Sequence, residues 1–470
     1  MYKSGFTSLI LFILLALILS LSTSCRKDLD FQSNPNITLQ FSKDTVFLDT
    51  IFTQSNSETY LLKIYNRSSD DISLSTVYLN QRENSAFRIN IDGIPGFEFS
   101  EIPLRAKDSL MVFIEIAVGN SNPQMIEEDE LIFQDSEQHV KLLAMIEDAR
   151  YYYPEYGENY ILINQDTEWH NDISHVIYGN LKVDNSTLNI EAGTKIYFHQ
   201  NSGMSIENGG NLNLNGNRES PILLRGDRHD ARYDSLPKQW NEIKLIDSQL
   251  NSNYAVIKGG NSGFHLINSN AEIENTQIYN MANSGIFAKN SNIFGRNIVI
   301  SDAGSAGLNI EKGGNYEFYY SSIATVWQTG LVGINGPNVP VYLSNSTRDE
   351  NGVESFHPLN ASFANCIFYG RYPNGVYLDN NEEDEFNYTF QRCLIKNENT
   401  AEINYENDIN FISPIIENPL FFSTIFSQQD LRLQDDSPAR NTADSSFNQF
   451  APQDIQGNIR GNSSNLGAYE

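Results

Sequence analysis

The sequence predicts an all-β protein in which a small β-sandwich is followed by a right-handed parallel β-helix. Three observations carry that expectation. Residues 36–150 break into short alternating strand patterns separated by turn-forming stretches. From Gly179 onward the chain repeats, and Gly263, Gly285 and Gly307 fall 22 residues apart. Between the repeated positions lie short β-type runs such as Ile298-Val-Ile300, divided by Asn, Gly and Ser, with no helical return.

At the N-terminus Lys3 supplies a short positive region, and Leu9 to Leu21 is apolar except for Ser20. The small residues Ser22, Thr23 and Ser24 then lead to Cys25. Charge, apolar stretch and small-residue cleavage site are the layout of a secretory signal. The run is shorter than the roughly 20 residues a spanning helix needs. It resembles a bacterial lipoprotein signal, although Leu21 stands four residues before the cysteine where the pattern has leucine at three. The resemblance implies removal of residues 1–24, lipid on the Cys25 sulfur and attachment to the outer membrane. Arg26, Lys27, Asp28 and Asp30 charge the tether, residues 25–35. They resemble the export tag of surface-displayed lipoproteins, which implies a place on the cell surface.

Asp and Glu outnumber Lys and Arg 59 to 31, a formal charge of −28. That balance disfavours nucleic acid and repels polyanions at long range. With Cys25 modified, only Cys366 and Cys393 remain, too few for a disulfide-built scaffold.

Within residues 36–150, Ile37-Thr-Leu-Gln-Phe41, Tyr60 to Tyr65, Phe87-Arg-Ile-Asn-Ile91, Leu110 to Ile116 and Val140 to Met145 read as strands. With weaker runs such as Val77-Tyr-Leu79 they number about seven, which suits a β-sandwich. The runs from Leu61 to Ser68, Phe87 to Ile89 and Val112 to Ile116 resemble immunoglobulin-like modules of bacterial surface proteins. Tyr151-Tyr-Tyr-Pro-Glu-Tyr156 marks the junction and reads as a stacked aromatic hinge.

The second region is expected over residues 160–470. Asn253, Asn275 and Asn297 keep the 22-residue spacing, as do Val256, Ile278 and Ile300. Such a period signifies a stacked array. Coils of strand and turn place equivalent residues about 4.8 Å above one another. Val256, Ile278 and Ile300 are then expected as an aliphatic stack inside, and the three asparagines as an amide ladder at a turn. Leu181-Lys-Val183, Leu188 to Phe198, Gly209 to Gly216, Pro221 to Gly226, Trp240-Asn-Glu-Ile-Lys244, and the closing runs Asp454 to Arg460 and Leu466 to Glu470 carry a family likeness. They resemble right-handed parallel β-helix proteins of the pectate-lyase-like class, especially its lipoprotein members. The likeness speaks for fold and not for activity.

Polysaccharide lyases on that fold need a base, often Lys or Arg, and Ca²⁺ or another cation to stabilise the charge that develops beside a uronate. The repeat places Glu274 under Arg296 and Lys289 under Glu311, which reads as rung-to-rung ion pairing. His265 aligns with Phe287 and Asn309, His199 reads as a surface histidine, and no zinc site or other metal centre is expected. Two charged loops interrupt the rungs, Arg225 to Asp234 and Asp379 to Glu385. The second offers carboxylates for Ca²⁺ but lacks the ligand spacing of a calcium loop, so no cofactor is expected. Gly330 to Gly336 lacks phosphate-loop spacing and reads as turns. Cys366 and Cys393 fall at matching places in neighbouring coils, either as a disulfide or as two packed apolar side chains. No residue is assigned a catalytic role.

The expected function is therefore a lipid-anchored envelope protein, attached to the membrane through Cys25. Its β-helix would bind a polysaccharide or surface protein without catalysis. The alternatives are a polysaccharide lyase or glycoside hydrolase using the same groove, and a structural surface spacer. A basic cleft would favour the lyase, exposed aromatics sugar binding, and a plain polar face the spacer.

Overall fold

The computed structural model of the chain describes residues 31–32, 37–55, 57–118, 126–327, 338–348, 351–380, 384–399 and 403–470. Cys25 and the signal segment lie outside the described residues, as do 381–383 of the acidic run and 330–336. The chain forms two compact units, Met1–Ile146 and Glu147–Glu470. Among the described residues the only helical elements are short 3₁₀ turns.

The first unit is a sandwich of two five-stranded sheets. One joins Gln40–Phe41, Tyr60–Tyr65, Ser109–Ile116, Phe87–Ile91 and Ile94–Gly96; the other joins Thr45–Phe52, Gln138–Glu147, Ile126–Phe133, Ile72–Leu79 and Glu98–Leu104. Alternation drives it. In Ser109–Ile116 the residues Leu110, Val112, Ile114 and Ile116 are buried while Met111, Phe113 and Glu115 are exposed. Because the side-chain period is two, a one-residue slip would expose that whole buried set, so register is strongly specified.

The second unit is a parallel β-helix. Ten parallel strands, from Ala149–Tyr152 to Leu394–Ile395, stack as the first wall. A 17-stranded sheet supplies the other two walls. The second wall runs from Tyr160–Ile163 through Phe264–Ile267 to Val376–Asp379, and the third from Thr167–Trp169 through Asn270–Glu274 to Phe411–Ile412. The first rung begins earlier than residue 160. Tyr151 and Tyr152 pair in parallel with Val176 and Ile177, so these two tyrosines belong to a rung and not to a hinge. Tyr152 packs beside Trp169 in the core, ring centroids 5.0 Å apart.

The inner column of the first wall is Ile196, Leu224, Ile257, Ile278, Ile300, Ile323, Phe368 and Ile395. Val256 is not in it. It aligns with Gln277 and is half-buried on the outside. The cause is one missing corner residue: Tyr254 alone links Gln249–Asn253 to Ala255–Lys258, where Asn275 and Thr276 make the same turn one coil later. The amide ladder forms as the period predicts. Asn275 Nδ2 donates to Asn253 Oδ1 and Asn297 Nδ2 to Asn275 Oδ1, both at 2.9 Å.

Corners repeat one backbone conformation. Asn185, Asn208, Asn268 and Asn290 turn between the second and third walls, and Asn275, Asn297 and Asn365 between the third and first, all at positive φ. Asparagine visits this left-handed region more readily than other residues with a side chain. Gly285 answers a different need. A Cβ there would lie 2.5 Å from Ile300 Cγ2 and 2.7 Å from the Gly307 carbonyl oxygen.

The C-terminal segment folds back along the flank. Leu431, Leu433, Ala439, Ile455, Leu466 and Ala468 cover Val299, Ala324, Ile367 and Leu394 on the outer first wall. Asn297 Nδ2 also donates to the Gln453 carbonyl at 2.8 Å, so the ladder is tied to this segment. Arg460 is buried there, its guanidinium 4.0 Å from the Tyr320 ring and its Nε 3.3 Å from Glu470.

Cys366 and Cys393 do occupy stacked positions. Each Sγ lies 3.6 Å from a carbonyl oxygen of the preceding coil, Phe318 and Phe363 respectively. Both are fully buried and stand as free thiols in this structure. Burial pushes the Cys393 thiol up. Two measurements follow. Alkylation in buffer should leave both thiols unmodified, and alkylation after denaturation without reductant should modify both. Gly285→Ala should lower unfolding stability by about 1–3 kcal/mol, because the methyl must displace packed side chain and backbone; an unchanged denaturation midpoint would contradict the stacking.

Candidate functional site

On the outer third wall each strand presents side chains in vertical columns. The leading column is Thr187, Asn211, Gln249, Asn270, Asn292, Asn315, Asn360 and Asn387. From Asn270 to Asn387 each amide donates to the one before it, at 2.7, 2.7, 3.1 and 3.0 Å. The middle column starts as a second ladder, Asn189, Asn213 and Asn251, bonded at 2.7 and 2.8 Å. It then changes chemistry to Glu272, Phe294 and Glu317.

A cleft of about 340 Å³ opens at that change. Its rim is the amides of Gln249, Asn251, Asn270, Asn292 and Asn315, its centre Phe294, and its ends the carboxylates of Glu272 and Glu317. Neither Lys nor Arg lines it. Glu274 beside Glu272 holds the Glu272 carboxyl above the usual range, through a shared hydrogen bond first and burial second. Glu274 itself is engaged by Arg296 of the next coil. Glu317 accepts a hydrogen bond from the Tyr319 hydroxyl at 2.9 Å.

A second cleft, about 370 Å³, lies on the outer first wall. Val256, Lys258, Gln277 and Tyr279 form its floor, Asp234 and Ser235 of the Arg225–Asp234 loop one side, and Ser427, Gln428 and Gln429 of the C-terminal segment the other. Gln429 Nε2 donates at 2.8 Å both to Asn280 Oδ1 and to Asp302 Oδ2. Asp302 is fully buried, and its Oδ1 accepts from the backbone of Val326 and Trp327 at 2.8 and 3.1 Å. Burial pushes the Asp302 carboxyl up to about 6 against these hydrogen bonds.

The tyrosines of the first rung continue upward as an external stack. Ring centroids are 4.9 Å apart for Tyr153 and Tyr178 and 4.3 Å for Tyr178 and His199, and His199 Nδ1 meets Asp227 at 2.7 Å. The rings spend their faces on one another.

Other residues named from the sequence make contacts within the protein. Lys289 pairs with Glu311 at 3.2 Å and Arg296 with Glu274, as the repeat predicts. His265 lies beside Phe287 and 3.0 Å from Glu242. Asp379, at the start of the acidic run, accepts from the Tyr342 hydroxyl at 2.6 Å. Glu168, His170 and Glu191 bring potential ligand atoms within 4.8 Å of one another, and His170 and Glu191 already form a 3.0 Å pair. Glu272, Phe294, Glu317 and Lys258 were not singled out. The same 22-residue arithmetic places Phe294 above Glu272, but no motif marks the pair. Nothing local marks Lys258, whose cleft is closed by residues some 170 positions later.

No family model matches the chain, and no curated protein matches it. What fold and surface define is a class: a two-unit all-β protein whose larger unit is a parallel β-helix with a polar cleft on one wall.

Asp302 gives this region a pH signature. Its folded value, about 6, exceeds the ordinary 3.8. The unfolded chain therefore loses the proton first as pH rises. Relative to pH 4, the folded state loses about 2.4 kcal/mol at this group by pH 7. Asp302→Asn should remove that loss, so the difference in unfolding free energy between variant and wild type should shift by about this amount in the variant's favour between pH 4 and pH 7. A difference that stays constant with pH would show that Asp302 does not titrate this way.

Proposed function

We propose that the protein is a lipid-anchored component of the bacterial outer membrane, held through Cys25 and facing outward, whose β-helix binds a neutral glycan in the third-wall cleft. The observation that carries this reading is the lining of that cleft. Amides and carboxylates hydrogen-bond to vicinal hydroxyls, and Phe294 offers an apolar surface for sugar C–H groups, the usual mix of a few placed polar groups around an apolar contact. The absence of Lys and Arg from the lining, with a net charge of −28, speaks against a polyuronate. Weight therefore moves from a lyase towards binding of an uncharged chain. Nucleic acid is disfavoured on the same ground.

A second reading has its own observation. Glu272 and Glu317 lie two coils apart on either side of Phe294, about 10 Å by strand spacing. That is near the roughly 6.5–9.5 Å between the carboxyls of inverting glycosidases. In that reading Glu272, its proton held by Glu274, protonates the departing glycosidic oxygen. Glu317 takes a proton from the water that attacks the anomeric carbon as the carbon–oxygen bond breaks.

The test uses the mature chain with Cys25 replaced, against immobilised neutral and acidic polysaccharides, with release of new reducing ends followed in parallel. Retention on a neutral polymer without new ends is the expected result. Phe294→Ala and Asn292→Ala should each weaken it about tenfold, as loss of a central contact does. New reducing ends that disappear in Glu272→Gln would replace binding by hydrolysis. Retention only on acidic polymers would overturn the neutral-glycan reading.

A further inference from the structure

We infer that the second cleft, on the outer first wall, is a separate binding site for a small oxyanion whose counter-charge is Lys258.

Lys258 ends the strand Ala255–Lys258, is half-buried and lines the cleft. Among the described residues it makes no ion pair. The nearest carboxylate of the cleft, Asp234, is held by Arg225 at 2.6 Å. The Lys258 ammonium instead lies 5.9 Å from the centre of the Tyr279 ring. The Tyr279 hydroxyl is committed to Gln277 Oε1 at 2.5 Å. A desolvated charge without a partner is costly, and such groups are normally paired. Burial first, and the Arg225 guanidinium second, pull the Lys258 ammonium below its usual range, against the attraction of Asp234.

Elsewhere between neighbouring coils, among the described residues, a base meets an acid of the protein itself, as Arg296 meets Glu274 and Lys289 meets Glu311. At Lys258 the matching position of the next coil is Tyr279 and not an acid, and an open cleft, roughly the size of a small-ligand pocket, lies beside the two side chains. Besides the Asp234 carboxylate, which Arg225 pairs, the walls are donors and acceptors without net charge: Ser235, Ser427, Gln428 and the Gln277 amide. Ammonium plus neutral hydrogen-bonding groups suits one oxyanion on a polar body. In a chain this acidic, a cation without a carboxylate of its own in a cleft also draws an anion against the surrounding field, so selectivity for a small ligand over a polyanion follows. Carboxylate and phosphate share the chemistry.

The experiment uses the full mature chain with Cys25 replaced. Gluconate, inorganic phosphate and glucose, the neutral counterpart of gluconate, are titrated calorimetrically at constant ionic strength. Gluconate or phosphate should bind and glucose should not; which anion binds tighter identifies the oxyanion. Lys258→Met and Lys258→Gln should weaken that binding roughly thirtyfold or more. Without ligand, Lys258→Met should melt no lower than wild type, because an unpaired charge has been removed. Phe294→Ala, in the other cleft, should leave anion binding unchanged, which separates this site from the glycan site. No heat with either anion, equal binding of glucose, or retained affinity in both Lys258 variants would overturn the inference.

Discussion

Vertical register governs this β-helix. Each coil must lie over the last at strand spacing, about 4.8 Å, for the backbone ladders of all three walls to close. The corners satisfy that demand by holding one conformation in coil after coil. Asn268 and Asn290 at one corner, and Asn275 and Asn297 at another, turn at positive φ. Their amides then bond vertically at 2.9 Å. One residue thus supplies both the turn and the tie to its neighbour. Where the coils pass close to one another, at Gly263, Gly285 and Gly307, even a methyl group has no room.

Once register is fixed, composition decides what each column becomes. Aliphatic columns fill the interior, from Ile196 to Ile395 on the first wall. Amide columns cover the third wall, and opposite charges stack where acid meets base. The third-wall cleft arises where a column breaks its own rule. Asn189, Asn213 and Asn251 give way to Glu272, Phe294 and Glu317, and there the cleft opens. The flanking C-terminal segment closes the second cleft and ties down the first wall through Gln429 and Asp302.

The sequence made the repeat legible because register is written in it. Equal spacing of Gly263, Gly285 and Gly307 gave the coil, and the asparagine ladder and the two ion pairs followed. The reading failed at Val256 for the same reason it succeeded elsewhere: a fixed period assumes equal corners, and Tyr254 makes its corner one residue short. Tyr151 to Tyr153 read as a hinge because aromatic clusters look alike at a junction and in a first rung; only the pairing with Ser174–Ile177 separates them. The clefts were not legible. Phe294 and Lys258 gain their roles from neighbours two coils or 170 residues away, and a single column shows neither.

A laddered amide face also has a definite recognition chemistry. Within the run from Asn270 to Asn387 each inner asparagine gives one N–H to the residue before it and accepts one from the residue after it. An amide has two N–H donors and a carbonyl with two lone pairs, so one donor and one acceptor remain free at every rung. They stand at fixed spacing on side chains whose rotamers the ladder has already set, so a ligand meeting them orders little that is not ordered beforehand. A flexible surface of the same composition would lose that advantage to side-chain entropy. Such a face favours a ligand with hydroxyls at regular intervals, and the break at Glu272, Phe294 and Glu317 sets where along the ladder that ligand gains an apolar contact and two charged acceptors. Register that begins as a condition for folding thereby sets the spacing of the exposed amides.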